Sequence, residues 1–304
     1  MFDCAIFQQT LHIVFVCSFF NYGNQYLPVF IKRGDNLKNK TISVLGAGNM
    51  ATAIIKGIVS SGICDPADIF IFDVIEDKVD ALCKLGCRKA SDACECVRLG
   101  DIIVLAVKPQ NFQQLLADIK DVCSEDNIFV SIAAGISTDY IRSELGFAAK
   151  VIRVLPNTPM LYGSGASTMC CTDNVDADEM SFVRSIFDKC GITECIDESL
   201  MNASIAIHSS SPAFIFLFAK CIAEGAQEYG IDYDTAIRLF SKTLSGAAKM
   251  IENSGMSCDE LIRMVASPGG TTLAALNSFE NDDFSGAVKR AMKACTDRAF
   301  ELGK

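Results

Sequence analysis

The stretch "TISVLGAGNMATAIIKGIVSSG" (41–62) decides the fold of this chain. "TISVL" has the β-branched, apolar composition of a buried strand, and "MATAIIKGIVSSG" has the periodicity of an amphipathic helix. Between them Gly46, Gly48 and Ala51 stand in a G-x-G-x-x-A frame. In such a frame the first glycine allows the tight turn and the second lets the backbone approach a pyrophosphate. The alanine lets helix and sheet pack closely, and the phosphates meet the amides of the helix N-terminus. A second strand-like run, "IFIFD" (69–73), ends in Asp73, 25 residues beyond Gly48, where a ribose-reading carboxylate is expected. A carboxylate there accepts from a 2′-hydroxyl and repels a 2′-phosphate, and Val74 and Ile75 supply no compensating Arg. Asp73 therefore favours NADH over NADPH; a loop carboxylate facing solvent is the other reading of the same residue.

Working outward, "DIIVLAV" (101–107), "NIFVSIA" (127–133) and "VIRVL" (151–155) read as further buried strands, and "PQNFQQLLADIKDVC" (109–123) as a helix between two of them. Strand–helix alternation implies an α/β, doubly wound, mostly parallel sheet. "ASTMCCT" (166–172) and "ITECI" (192–196) are expected as edge strands, which closes a sheet domain of 41–197. After Glu198 the alternation stops. "PAFIFLFAKCIAEGAQEYG" (212–230) is expected to open a helix on Pro212, and "DTAIRLFSKTLSGAAKMIENSG" (234–255) to form a second. "SCDELIRMVA" (257–266) begins with a capping box of Ser257 and Glu260, and a last helix is expected over 285–302. Residues 198–304 thus read as an all-helical domain, and its wide apolar stripes point to packing on a second subunit.

Composition narrows the function. At 304 residues the chain accommodates two domains, and its net charge of −10 with no basic cluster argues against a nucleic-acid surface. Its 15 cysteines include no CxxC, and the only histidines are His12 and His208, so a metal site has poor material. Reduced thiols in a reducing, cytoplasmic setting are expected. In residues 1–40, "LHIVFVCSFF" (11–20) is too short to span a bilayer, and Asp3 rather than a basic residue precedes it. The segment is read as an extension of unknown role, with no membrane partner.

Three more stretches end strands at the carboxyl edge of the sheet, where ligands of such folds bind: "AVKPQ" (106–110), "SIAAG" (131–135) and "PNTP" (156–159). Lys108 can reach a cofactor or cap a strand into water, and its chemistry does not separate the two.

With "GAGNMA", "AVKPQ", "SIAAGIS", "RVLPNTP", "GAAKM" and "SPGGTT" in this order, the chain from Thr41 onward resembles the pyrroline-5-carboxylate reductase family. The resemblance implies a Rossmann domain followed by an all-α dimerisation domain, assembled as a homodimer or larger homo-oligomer. It implies an oxidoreductase of proline biosynthesis that reduces 1-pyrroline-5-carboxylate to L-proline with NADPH or NADH. Carried over by position, Leu45, Gly46, Ala47, Gly48, Asn49, Met50, Ala106, Val107, Lys108 and Pro109 line the cofactor. Ala133, Ala134 and Gly135 lie beside it. Ser210, Ser267, Gly269, Gly270, Thr271 and Thr272 meet the substrate.

On this reading the break at "SPGGTT" (267–272) grips the substrate carboxylate with helix N-terminal amides, and the Thr272 hydroxyl serves as the catalytic group at the ring nitrogen. An interhelix turn with a threonine N-cap is the alternative. The sequence departs from the family at "HSSSPA" (208–213), usually Ser-Gly-Ser-Gly-Pro-Ala, where added side chains are expected to crowd the pocket or re-aim the helix at Pro212. Ala93 replaces a frequent Asn, and Met264 a frequent Asn or Gln. Two other functions compete: a 3-hydroxyacid dehydrogenase using Lys249 with Asn253, and a dinucleotide-binding protein without activity.

Overall fold

The computed structural model describes residues 19–22, 25–28 and 40–302. Contacts divide the chain into an N-terminal unit, Met1–Leu37, and Lys38–Lys304. In the first, β1 (Phe19–Tyr22) and β2 (Gln25–Pro28) pair antiparallel, with Phe19 opposite Pro28. The rest of the expected 1–40 extension, apart from Lys40, lies outside the described residues.

The second unit opens with β3 (Ile42–Leu45), α1 (Asn49–Ser61), β4 (Ile69–Phe72), α2 (Glu76–Cys83) and β5 (Arg88–Lys89). It continues with α3 (Ala93–Leu99), β6 (Ile102–Leu105), α4 (Phe112–Ile119), β7 (Ile128–Ser131), α5 (Thr138–Leu145) and β8 (Lys150–Leu155). β9 (Gly165–Cys171), α6 (Ala177–Asp188) and β10 (Gly191–Cys195) complete an eight-stranded sheet of order β10-β9-β8-β7-β6-β3-β4-β5. Every neighbouring pair is parallel except β8 with β9. Strand alternation divides the core in two. Ile42, Val44, Ile102 and Val104 face the side covered by α1, α2 and α6, where Ile54, Ile58, Val79 and Phe187 meet them. Leu45, Ile103 and Leu105 face the side covered by α3, α4 and α5, through Val97, Phe112, Leu116 and Ile141. Helices on both faces explain why these strands are continuous apolar runs rather than alternating ones.

The helical part begins earlier than the sequence suggests. α7 (Glu198–Ser204) runs through a π-helical turn (Ile205–Ser209) into α8 (Ser211–Glu228). Pro212 therefore sits one turn inside a long helical run rather than opening it, because the π turn absorbs the backbone mismatch upstream of the ring. This run, Glu198–Glu228, is the one described helix long and apolar enough, by length and composition, to cross a membrane. α9 (Tyr233–Asn253), α10 (Cys258–Val265), α11 (Thr271–Asn281) and α12 (Phe284–Leu302) follow. The Ser257–Glu260 capping box forms as expected. Phe218 gathers Phe240, Phe279 and Phe284 around it, with centroids 5.7 to 6.4 Å away, and this aromatic cluster is the core of the helical layer. Elsewhere the layer is bare: Phe216, Leu217, Leu239 and Val265 are each more than 60% exposed.

Two devices join the halves. Leu155, Cys170, Met201, Ile205 and Ala299 form a small apolar cluster between sheet and helices. Beside it Arg153 of β8, buried, donates to Asn202 Oδ1 at 2.7 Å and to Glu198 Oε1 at 3.4 Å. Glu198 also accepts from the backbone and hydroxyl of Thr138, at 2.8 and 2.5 Å. A buried cation is tolerated because these partners replace its water.

The 13 described cysteines are all free. Burial pushes the thiols of Cys64, Cys87 and Cys96 from an ordinary 9.0 up to about 11. Because the folded state holds these protons more tightly than the unfolded chain, their stabilising contribution is complete below pH 9 and is lost as pH rises through 11. The denaturant midpoint of the reduced protein is expected to fall over that window, and less steeply in Cys96→Ala. Equal slopes in the two proteins would show that Cys96 is not so buried.

Candidate functional site

The site is built at the carboxyl edge of β4, β3, β6 and β7. Gly46, at the end of β3, has φ +109°, and a Cβ there would lie 2.7 Å from the Ala106 carbonyl oxygen. Only glycine fits, on both counts. Its amide donates to Phe72 O at 2.8 Å, and the amide of Ala106 donates to Leu45 O at 2.9 Å. Leu45, Gly46 and Ala106 are thus locked side by side, with Val107, Lys108 and Pro109 leading away from β6. One strand further, Ala133, Ala134 and Gly135 leave β7, and Gly135 turns with φ +81°.

Above this edge α1 starts without help. Gly48 is its N-cap, no side chain caps it, and its first turn holds no acid. A Cβ on Gly48 would meet nothing within 4 Å. Helix amides and open space converge where Gly48, Asn49 and Met50 begin the helix, which is what a pyrophosphate requires. Asp73 lies beside it. Its Oδ2 accepts from the Ala47 amide at 2.6 Å and its Oδ1 from the Ile75 amide at 2.9 Å. The carboxylate therefore belts the glycine loop to the end of β4, a structural task that spacing alone does not reveal.

Ser210 is brought to the same edge. Its hydroxyl accepts from the Cys295 thiol at 3.2 Å, and Cys295 and Ala134 both pack on the cluster that joins sheet and helices. The side chains of "HSSSPA" do not crowd this space. His208 is buried, with its ring nitrogens 2.9 Å from Ser204 O and 2.7 Å from Leu155 O. Ser209 donates to Pro156 O at 3.1 Å and Ser211 to Ile207 O at 2.7 Å. Asn157 of "PNTP" adds a bond from its side-chain amide to His208 O at 3.0 Å. The polar groups added in this chain rivet the π turn to the end of β8. Neither Asn157 nor His208 was among the expected site residues, although an Asn in a buried strand end is a signal for such a rivet.

The second half of the expected site lies elsewhere in the chain. Ser267, Pro268, Gly269 and Gly270 form a turn closed by Gly270 N–H to Ser267 O at 3.0 Å, with Pro at its second position and Gly269 at φ +71° in its third. That is the pattern of a type II turn. The N-cap of α11 is Gly270, with no side-chain cap and no acid in the first turn, so the threonine N-cap alternative is not what forms. Thr271 and Thr272 open the helix. Thr272 borders a groove of about 320 Å³ walled by Met250, Ile251, Leu261, Ile262 and Val265. The main packing partners of α9, α10 and α11 are one another, α8 and α12. The structure thus brings the cofactor residues and Ser210 together, and places Ser267, Gly269, Gly270, Thr271 and Thr272 in a separate helical layer. Lys249 is exposed on α9, and Asn253 spends its amide on Lys249 O at 2.8 Å, so this pair offers no assembled acid–base centre.

Residues 198–302 match the family described as pyrroline-5-carboxylate reductase dimerisation, and residues 41–135 match NADP oxidoreductase coenzyme F420-dependent. Among curated proteins, the chain is 35% identical over 269 residues to a pyrroline-5-carboxylate reductase of Methanosarcina acetivorans, covering 88% of this chain and 100% of the relative. It is 35% identical over 266 residues to that of Escherichia coli, covering 87% and 99%. Among solved structures, a pyrroline-5-carboxylate reductase from Coxiella burnetii superposes with a TM-score of 0.81 at 31% identity, over 88% of this chain and 99% of that one. A Plasmodium falciparum pyrroline carboxylate reductase with NADP bound gives 0.80 at 27% identity, over 88% and 100%.

Because nothing in the fold occupies the space above Gly48, Gly48→Val is expected to leave thermal unfolding within about 1–2 °C of wild type. It should weaken NADH binding, read by calorimetry, at least about tenfold. Undiminished binding would remove the phosphate from this helix.

Proposed function

The chain belongs to the pyrroline-5-carboxylate reductase family, and on that premise we propose that it reduces 1-pyrroline-5-carboxylate to L-proline with a nicotinamide dinucleotide held on the glycine loop. The observation that carries this reading is the uncapped N-terminus of α1 under an unobstructed Gly48, flanked by the ends of β6 and β7. When bound, the reduced nicotinamide supplies the hydride that the C=N carbon accepts. The protein's part is position and charge. Leu45–Met50 and Ala106–Pro109 form the floor for the dinucleotide, and Ala133–Gly135 a wall beside it.

The substrate carboxylate is taken by the amides at the start of α11, where Gly269 and Gly270 leave the backbone bare. Thr272 hydrogen-bonds the ring nitrogen, where a proton must reside for the imine to be electrophilic. Since α11 packs with its own helical layer, a second copy of the chain supplies this loop to the cofactor edge. Residues 41–197 then act as the dinucleotide-binding domain and 198–304 as the domain that joins the copies. The apolar run Glu198–Glu228 belongs to this joining surface rather than to a membrane, because Glu198, Asn202 and His208 tether its first third to the sheet. A cytoplasmic setting accords with the free thiols.

The finer choice of cofactor rests on Asp73, whose remaining lone pairs face the adenosine ribose and favour NADH. Asp73→Ala is expected to raise the NADPH/NADH ratio of kcat/KM, and an unchanged ratio would mean that the carboxylate only belts the loop. Sharing of the site between copies has its own test. Gly48→Val and Gly270→Val should each be nearly inactive. After unfolding and refolding together they should recover about a quarter of wild-type activity, since half the dimers pair one intact site from two intact halves. No recovery above the separate variants would confine the site to one chain.

A further inference from the structure

We infer that the cleft between α1 and α2 is the subsite for a 2′-phosphate on the dinucleotide, with Lys78 as the residue that binds it and Lys56 as its support. The cleft has a volume of about 380 Å³ and opens at Ala47 and Asn49, two residues of the glycine loop itself. Its walls are Lys56 of α1 and Lys78, Leu82 and Leu85 from the α2 side. A ligand lodged there is therefore continuous with whatever rests on the loop. Neither lysine forms an ion pair or hydrogen bond among the described residues. The acids that could have neutralised Lys78 are engaged elsewhere, since Lys89 holds Glu76 at 3.3 Å and Asp80 at 3.7 Å. Two uncommitted cations beside the mouth, over an apolar floor, suit a compact dianion and leave an uncharged ribose hydroxyl without a partner.

Asp73 does not close the cleft to phosphate. Both of its oxygens accept backbone amides, so part of its charge is spent on Ala47 and Ile75. The compensating cation that Val74 and Ile75 lack comes instead from one turn into α2. Asp73 and Lys78 then pull in opposite directions, and the enzyme accepts both dinucleotides.

This inference rests on the dinucleotide reading of the loop, and its test separates the two. Binding of adenosine 2′,5′-bisphosphate and of AMP would be measured by calorimetry on wild type, Lys78→Ala, Lys78→Arg and Lys56→Ala. Lys78→Ala is expected to weaken the bisphosphate at least about tenfold, the worth of one charge-assisted bond, while AMP stays within about twofold. Lys78→Arg should retain most of the affinity and Lys56→Ala should show a smaller loss. In turnover, Lys78→Ala should raise KM for NADPH with KM for NADH unchanged. Bisphosphate affinity unchanged in Lys78→Ala, or equal losses for bisphosphate and AMP, would overturn the subsite. If inorganic phosphate competed with the bisphosphate but not with AMP, a phosphate-selective cleft would be supported independently of the ribose. Failure of every adenosine nucleotide to bind wild type would refute the loop reading itself.

Discussion

The whole sheet edge depends on one close approach, that of Gly46 to the carbonyl of Ala106. The backbones of β3 and β6 converge there to a separation that admits no side chain, in a conformation that L-residues with a Cβ avoid. Once that contact is made, the loop has a single path. Its amides turn upward at the start of α1, Ala47 comes under the Asp73 carboxylate, and the mouth of the α1–α2 cleft opens beside it. A local steric rule thereby fixes the relation between the strand ends, the helix amides and the lysines, which no single one of these elements could set alone.

The second constraint is the seam between sheet and helices. Arg153 is costly to bury, yet its guanidinium ties β8 to α7 through Glu198 and Asn202. The π turn that follows is pinned by His208, Ser209 and Asn157 to the last residues of the same strand. Together they hold Ser210 at the edge where the cofactor residues gather. The departures from the family's glycine-rich version of this segment are absorbed by backbone carbonyls nearby, so polar side chains here substitute for backbone flexibility with no loss of space.

Most of the sheet was legible from the chain, because strands covered on both faces must be unbroken apolar runs and "VLGAGNMA" can only join a strand to a helix. The order of loops at the carboxyl edge followed from the same logic. Three things were not legible. α7 escaped notice because "ESLMNASIAIHSS" has polar residues whose partners are on another strand, and periodicity cannot see them. Asp73 was read for its outward chemistry, whereas its inward bond to Ala47 depends on a contact between elements 26 residues apart. Lys56 and Lys78 looked like ordinary solvated lysines, since only the parallel packing of two helices makes them face one cleft. The Ser-Pro-Gly-Gly turn was correctly anticipated as a turn, but sequence order gave no sign that it would stand apart from the loop it is meant to serve.

That separation, together with the bare helical layer, has a consequence for how the molecule comes into being. A newly made chain can complete its sheet alone, but its helices present Phe216, Leu217, Leu239 and Val265 to water until a sister chain covers them. Such a surface is as ready to stick to strangers as to its twin. The half-made protomer is thus a concentration-sensitive intermediate: where sister chains are scarce, the enzyme is lost to clumping before it is ever assembled, and its yield in a cell is set by encounter as much as by folding.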